Sequence, residues 1–135
     1  MRENQLSEAI IGAAIEVHRI LGPGLLESIY EECLAVEFAL RELSFERQRR
    51  VPVEYKGRHV AADLKIDFVV DGCVVVELKA IEKLLPVHGA QLLTYLRLTG
   101  KQLGLLINFN VPLLHVGVQR VVNHLPELGA SASLR

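Results

Sequence analysis

Two acidic residues and a lysine occur where the interior of a β-sheet would otherwise be expected. Asp67 is followed ten positions later by Glu77, and Lys79 comes two residues after that. Glu77 and Lys79 directly follow three valines at positions 74–76, where burial of an unpaired charge would be costly. Because successive side chains of a strand alternate between its faces, Glu77 and Lys79 point to the same side. These charges therefore predict a site with a chemical role.

The position of Asp67 relative to this pair depends on the turn between the two strands. A two-residue turn at Asp71 and Gly72 would put Asp67 on the face opposite Glu77. A three-residue connection that ends at Cys73, with Gly72 left-handed, would instead pair Asp67 with Glu77. We predict the longer connection, because only that register brings the three charged side chains together.

Paired carboxylates at this separation would form an oxygen-ligand site suited to Mg²⁺ or Mn²⁺. Such an ion lowers the pKa of a bound water and neutralises charge that develops on phosphorus, while Lys79 orients the water or stabilises the transition state. Asp67, Glu77 and Lys79 therefore predict hydrolysis of a phosphodiester. The alternative is a buried ion pair between Glu77 and Lys79 that only fixes the strand register.

Eight elements are predicted to position these residues. Apolar periodicity favours helices at 5–21, 25–43 and 86–100, and strands at 51–55, 59–70, 73–79, 103–109 and 114–122. The nearly continuous apolar run at 103–109 is typical of a strand covered on both faces. Three consecutive strands followed by a helical crossover predict an α/β fold with a mixed β-sheet flanked by helices.

Length and composition predict one globular domain over residues 1–135, with a flexible tail at 126–135. Half of the residues are hydrophobic, so some apolar surface should remain exposed, which favours a homodimer. The amino terminus carries charges where a signal peptide needs an apolar run, and no stretch is long enough to span a membrane. We therefore expect a cytoplasmic protein, with Cys33 and Cys73 as reduced thiols.

A net charge of −1 excludes the strongly basic character of many nucleic-acid-binding proteins, so any such binding must be local. Basic residues do cluster between positions 47 and 59, where Arg49, Arg50, Lys56 and Arg58 are candidates for phosphate contacts. A solvated hairpin face is the equally weighted alternative.

The spacing Asp67-x9-Glu77-x-Lys79 resembles the signature of the PD-(D/E)xK nuclease superfamily, although Ile66 stands where the signature has proline. The resemblance implies a restriction-endonuclease-like fold with core order αβββαβ, here with an extra N-terminal helix and a C-terminal strand. It also implies a Mg²⁺- or Mn²⁺-dependent nuclease, acting mostly on DNA, with Asp67 and Glu77 as metal ligands and Lys79 as a catalytic residue.

A second motif, from Gly24 through Glu27 to Tyr30, resembles the small bacterial family named for its GxxExxY pattern, a branch of the same superfamily. By that likeness Glu27 would be a catalytic acid and metal ligand contributed by a helix. The alternative for Glu27 is a first-turn acid that favours the helix dipole. Tyr30 would either offer its hydroxyl to the site or serve only in the core.

Gln91 and Tyr95 lie four residues apart on the third predicted helix, so they share one face. Their spacing resembles the Q-x3-Y motif that follows the lysine in nuclease modules of recombination helicases. By that likeness Gln91 would contact the nucleic-acid backbone or support Lys79, and Tyr95 would stack or hydrogen-bond nearby. His18 and His88 are weaker candidates for metal and phosphate contacts.

The leading hypothesis is therefore metal-dependent hydrolysis of nucleic acid, with DNA as the favoured substrate. The alternatives are a non-catalytic module that binds nucleic acid or protein, and a hydrolase of smaller phosphate esters. The sequence contains no Gly-rich phosphate loop and no base-reading module such as a zinc finger. Recognition of the nucleic-acid backbone or of its structure, by a homodimer or with a larger targeting partner, is accordingly expected.

Overall fold

The computed structural model describes residues 2–124, which form three helices, five strands and one 3₁₀ turn. In chain order these are α1 (Arg2–Leu21), α2 (Glu27–Leu40), β1 (Phe45–Tyr55), β2 (Arg58–Val70), β3 (Val74–Lys79), α3 (Pro86–Thr99), β4 (Leu103–Asn108), the 3₁₀ turn (Leu114–Gly117) and β5 (Val118–Val122). The prediction of a flexible tail falls on residues 126–135, outside the described range.

The strands form one mixed sheet in the order β1-β2-β3-β4-β5. β1, β2 and β3 are antiparallel neighbours, β3 and β4 are parallel, and β5 returns antiparallel to β4. The parallel pair requires a crossover, which α3 supplies. The predicted α/β class, with a mixed sheet flanked by helices, is confirmed.

The helices cover the two faces of the sheet with separate apolar clusters. α1 and α2 bury residues such as Leu34 and Phe38 against Phe68 and Val76 on one face. α3 covers the other face with a second cluster, whose members are Val51, Ile66, Val69, Val75, Leu92, Tyr95, Leu96 and Leu106. Burying one such large apolar side chain contributes about 1.5–3 kcal/mol, so this double covering fixes the central strands.

The bounds of α3 follow from residues that start and stop helices. Pro86 is the first residue of the helix, where its missing N–H costs nothing, and Gly100 adopts a left-handed φ of 67° directly after the helix. Both ends agree with the sequence prediction. Within the sheet, Gly104 permits the close approach of α3, since a Cβ there would lie 3.0 Å from the Leu92 side chain.

The predicted bounds of β5, α2 and β1 were wrong. The last strand starts at Val118 instead of 114, because the chain first makes a 3₁₀ turn in which Gly117 packs against Asn108 too tightly for a side chain. α2 begins at Glu27 and ends at Leu40, shorter than the predicted 25–43. β1 extends back to Phe45, so β1 and β2 form one long hairpin. No helix among residues 2–124 is long and apolar enough to cross a membrane.

Candidate active site

The connection between β2 and β3 has the predicted longer form. Val70 pairs with Val74, so three residues separate the strands. Asp71 and Gly72 are both left-handed, with φ of 54° and 63°, and the N–H of Cys73 donates to the carbonyl oxygen of Val70 over 2.9 Å. The left-handed Asp71 was not predicted. Cys73 is thus the extra residue that sets the register of Asp67 relative to Glu77.

Asp67 and Glu77 join β2 to β3 through their side chains. The backbone pairing of these strands ends at Phe68 and Val76. Beyond that pair, the N–H of Asp67 donates to Oε1 of Glu77 over 3.0 Å, and the N–H of Leu78 donates to Oδ2 of Asp67 over 2.8 Å. The two carboxylates therefore occupy the seam where the strands stop making their own ladder.

The strand on the other side of Asp67 is irregular at the same level. Gln48 in β1 has a φ of 52°, a conformation that costs a non-glycine residue about 1–2 kcal/mol, and it has no pairing partner in the ladder. Its side-chain amide donates to Oδ1 of Asp67 over 3.1 Å. Both oxygens of Asp67 are thus held in place.

β2 changes the facing of its side chains at this irregularity. Phe68 belongs to the cluster under α1 and α2, whereas Ile66 belongs to the cluster under α3. In a regular strand these residues, two apart, would share a face. The break in alternation at Asp67 thus coincides with the point where β2 stops pairing with β3, and the two carboxylates lie there.

Burial dominates the electrostatics of the acidic pair. Burial, followed by repulsion from Asp67, raises the pKa of Glu77 to about 8, although the N–H of Asp67 and the ammonium of Lys79 favour the carboxylate. Burial also raises the pKa of Asp67, opposed mainly by the hydrogen bond from Leu78. At neutral pH the pair therefore retains a proton, which a bound cation would displace.

Glu27 joins this electrostatic group as the first residue of α2. Burial raises its pKa, and repulsion from Asp67 adds to the effect while Lys79 opposes it. The hydroxyl of Tyr30 donates to the carbonyl oxygen of Gly22 over 2.5 Å and accepts from the N–H of Leu25 over 3.2 Å. Tyr30 is fully buried, so it serves by tying down the turn before Glu27, and its hydroxyl lies in that turn rather than in the site.

Glu31, which the sequence analysis did not select, forms an outer layer behind Asp67. Its carboxylate accepts from Nε of Arg47 over 2.8 Å and from Nε2 of Gln48 over 2.9 Å, and its charge contributes to the raised pKa of Asp67. Glu31 follows Glu27 by one helical turn, so both acids share a face of α2. That spacing was the signal available in the sequence.

Lys79 and Tyr95 also belong to the group. The Lys79 charge favours ionisation of Asp67 and Glu77, yet no carboxylate among residues 2–124 lies within 4.0 Å of its ammonium nitrogen. The alternative of a simple Glu77–Lys79 ion pair is therefore wrong. Burial, followed by the charges of Glu77 and Asp67, raises the pKa of Tyr95, while the exposed Gln91 beside it acts in the opposite direction.

The donor set suits a hard cation. Oε2 of Glu77 accepts no hydrogen bond from the described residues, and no buried side-chain oxygen among them lacks a partner, so this oxygen is open to solvent. Together with Asp67 it provides carboxylate oxygens of the kind that Mg²⁺ and Mn²⁺ prefer. No three His, Cys, Asp or Glu side chains in residues 2–124 form a ready-made cage, so Glu27 would have to approach further to become a third ligand.

The remaining candidates lie elsewhere. His18 is buried and bonds through Nε2 to the carbonyl oxygen of Val111 over 2.8 Å, and Nδ1 of His88 accepts from the N–H of Leu85 at the start of α3. Both imidazoles therefore have structural partners. Cys33 and Cys73 are free thiols, as predicted.

The predicted basic cluster lies on the β1–β2 hairpin. Arg49 is 3.4 Å from a carboxylate oxygen of Glu46, whereas Arg50, Lys56 and Arg58 are exposed and have no acidic partner within 4.0 Å among the described residues. These cations extend from the level of the acidic pair toward the hairpin tip.

Comparison with models of known protein families identifies the superfamily to which the chain is similar. The model of the PD-(D/E)XK nuclease superfamily matches residues 4–121, which include the acidic pair, Lys79, Glu27 and the Gln91–Tyr95 pair. No curated protein and no solved structure gives a significant match.

Proposed function

Because the chain belongs to the PD-(D/E)XK nuclease superfamily, we propose that it is a metal-dependent nuclease that hydrolyses phosphodiester bonds in DNA. The observation that carries this proposal is the meeting of Asp67 and Glu77 in the seam between β2 and β3. Burying two acids beside each other is destabilising unless a cation pairs with them, and titratable groups perturbed in this way are typical of functional sites.

In this proposal Asp67, Glu77 and Glu27 hold Mg²⁺ or Mn²⁺. When bound, the ion supplies charge neutralisation at phosphorus and a water of lowered pKa. Lys79, which has no ion-pair partner in the described chain, would orient that water and donate to the phosphate oxygens. Gln48 and Leu78 fix the two oxygens of Asp67, so that its carboxylate needs little reorganisation.

Substrate contacts are assigned to two surfaces. Tyr95 and Gln91, on α3 beside the acids, contact the nucleic-acid backbone near the cleaved bond. Arg49, Arg50, Lys56 and Arg58 on the hairpin contact phosphates further along the strand. DNA is preferred over RNA on the strength of the superfamily alone.

The narrower assignment to the GxxExxY branch rests on Gly24, Glu27 and Tyr30. Gly24 has a φ of 99°, which only glycine adopts easily, Glu27 starts α2 near the acids, and Tyr30 secures the turn between them. In this assignment Gly24 and Tyr30 shape the turn from which Glu27 approaches the site. The single domain over residues 1–135 and the cytoplasmic location both stay predictions.

A homodimer is proposed through α2. Its outward side carries Ile29, Val36 and Leu40, which are exposed, and Cys33, which is half-buried and also packs against the core. In the order 29, 33, 36 and 40 these residues are spaced by four, three and four, as in a helix–helix seam. An antiparallel pair of α2 helices would set Ile29 against Leu40 of the second copy. Sedimentation analysis should give twice the chain mass for the parent protein and the chain mass for Val36→Glu.

The nuclease activity is tested with purified protein, Mg²⁺ or Mn²⁺, and end-labelled linear, nicked and branched DNA. We expect metal-dependent cleavage by the parent and a loss of roughly 100-fold for Asp67→Asn. Asp63→Asn, which removes an exposed acid from the same strand, is the matched control and should cleave normally.

Failure to cleave any of these DNAs would contradict the proposal. If the parent then still bound DNA, the alternative of a non-catalytic module would replace it. Calorimetry with Mn²⁺ separates the cases, because a degenerate site should give no metal-binding heat that depends on Asp67.

A further inference from the structure

The tip of the β1–β2 hairpin exposes an aromatic ring. Tyr55 pairs with Arg58 across a two-residue turn in which Lys56 and Gly57 have φ of 52° and 77°. Tyr55 is 64% exposed, and its ring belongs to neither apolar cluster of the core. An aromatic side chain exposed at the end of a hairpin buries little surface on folding, so the ring of Tyr55 is available for contact with another molecule.

The hairpin has the charge of a phosphate-binding arm. Residues 45–65 contain six Lys and Arg but three Asp and Glu, whereas the rest of the chain is acidic overall. At the tip, the ammonium nitrogen of Lys56 lies 5.5 Å from the centre of the Tyr55 ring. A cation beside an exposed ring can bind a phosphate while the base of the same strand stacks on the aromatic face.

The length of the hairpin relates the tip to the acidic pair. Gln48, which contacts Asp67, is seven residues from Tyr55 along β1. At about 3.3 Å per residue the tip lies at most about 23 Å from the level of Asp67. A DNA strand rising about 3.4 Å per nucleotide covers that distance in roughly seven nucleotides.

We propose that Tyr55 stacks on an unpaired nucleobase, so that the preferred substrate is DNA with single-stranded bases roughly seven nucleotides from the cleaved phosphate. Stacking requires an open base face, which a continuous duplex offers only at its ends. This inference rests on the proposed nuclease function for its biological meaning, but the binding step is independent of cleavage.

The test measures binding in EDTA, so that no cleavage occurs. Fluorescence anisotropy compares a labelled blunt-ended duplex with GC-rich ends, which contains no unpaired base, with the same duplex carrying an unpaired tail. Variants are Tyr55→Ala, Tyr55→Phe and, as a control of equal exposure on the 3₁₀ turn, Val116→Ala, whose parent residue is 63% exposed.

We expect Tyr55→Ala to weaken binding of the tailed DNA roughly tenfold and that of the blunt-ended duplex less than twofold. Tyr55→Phe, which keeps the ring, and Val116→Ala should stay within about twofold of the parent on both DNAs. Equal affinity of parent and Tyr55→Ala for the tailed DNA, or an equal loss on both DNAs, would overturn the proposal.

Failure of the proposed function would look different. If the parent binds tailed DNA through Tyr55 but cleaves nothing with Mg²⁺ or Mn²⁺, the stacking site stands and the nuclease proposal fails. If cleavage occurs and Tyr55→Ala binds like the parent, the nuclease proposal stands and the stacking site fails.

Discussion

The main-chain N–H of Asp67 donates to the carboxylate of Glu77, while the carboxylate of Asp67 accepts from the strand that carries Glu77. Each acid thus replaces a missing backbone contact between β2 and β3. Because the same two carboxylates connect β2 to β3 and would bind the metal, metal binding should change the stability of this part of the sheet.

Asp67→Asn is predicted to abolish stabilisation by Mn²⁺. In the parent, an ion that binds only the folded state at 100 times its Kd adds about 2.7 kcal/mol to the free energy of unfolding. Thermal denaturation with and without Mn²⁺ measures this difference. Asp63→Asn should keep the full metal-dependent shift, and a shift of parental size in Asp67→Asn would exclude Asp67 as a ligand.

The stability of the metal-free protein is predicted to fall as the pH rises from about 4.5 to about 8. Glu77 has a pKa of about 8 when folded and an ordinary pKa of 4.5 when unfolded, so in this window the folded state binds the additional proton. One extra proton corresponds to a slope of about −1.4 kcal/mol per pH unit, which is an upper value for this partly shared proton.

Urea denaturation in EDTA at several pH values measures that slope, and Glu77→Gln, which cannot titrate, should flatten it. In the parent the affinity for Mn²⁺ should increase over the same window, because binding displaces the proton. A metal-free stability that rises with pH between 5 and 8 in the parent but not in Glu77→Gln would contradict the assignment.

Tyr30→Phe is predicted to disturb Glu27 without touching the site. The variant loses the hydroxyl that bonds to Gly22 and Leu25 at the turn before α2. One or two lost hydrogen bonds of a buried group cost about 1–3 kcal/mol. Urea denaturation should show this loss, whereas Tyr55→Phe at the exposed tip should be neutral.

A loss of stability alone would also be expected if Tyr30 had a purely structural role. A second measurement on Tyr30→Phe is therefore needed to test its effect on Glu27. If the turn positions Glu27 for metal binding, the Kd for Mn²⁺ should rise under conditions in which the variant is fully folded. An unchanged Kd would show that the turn supports the fold alone.

Most helices and strands could be predicted because the residues that determine them are close together in the sequence. The valines of β3, the apolar run of β4, and Pro86 and Gly100 at the ends of α3 each predicted their element from sequence alone. The three-residue connection before β3 was also predicted, from the requirement that Asp67 and Glu77 meet.

The details of the site depend on contacts between residues far apart in the sequence, which the periodicity of apolar residues does not predict. At the irregularity in β1, the side-chain amide of Gln48 bonds to Asp67 and Glu31, which lie 19 and 17 positions away in the chain. Glu31 lacked a motif, so its support of Asp67 was missed. The role of Tyr30 could not be decided from the GxxExxY pattern, because the partners of its hydroxyl are backbone groups that come together only in the folded turn.

Tyr95→Phe is predicted to lower cleavage roughly tenfold while leaving the fold intact. Burial and the charges of Glu77 and Asp67 raise the pKa of Tyr95, so its hydroxyl stays protonated and can donate to a phosphate oxygen near the acids. Loss of one hydrogen bond to a charged group costs about 1.5 kcal/mol, which corresponds to a slightly more than tenfold lower rate.

Tyr55→Phe is the matched control, since it removes a hydroxyl far from the acids and should cleave at the parental rate. The melting temperature of Tyr95→Phe should match that of the parent, because the ring stays packed in the apolar cluster between α3 and the sheet. Parental cleavage by Tyr95→Phe would show that this hydroxyl does not contact the reacting phosphate.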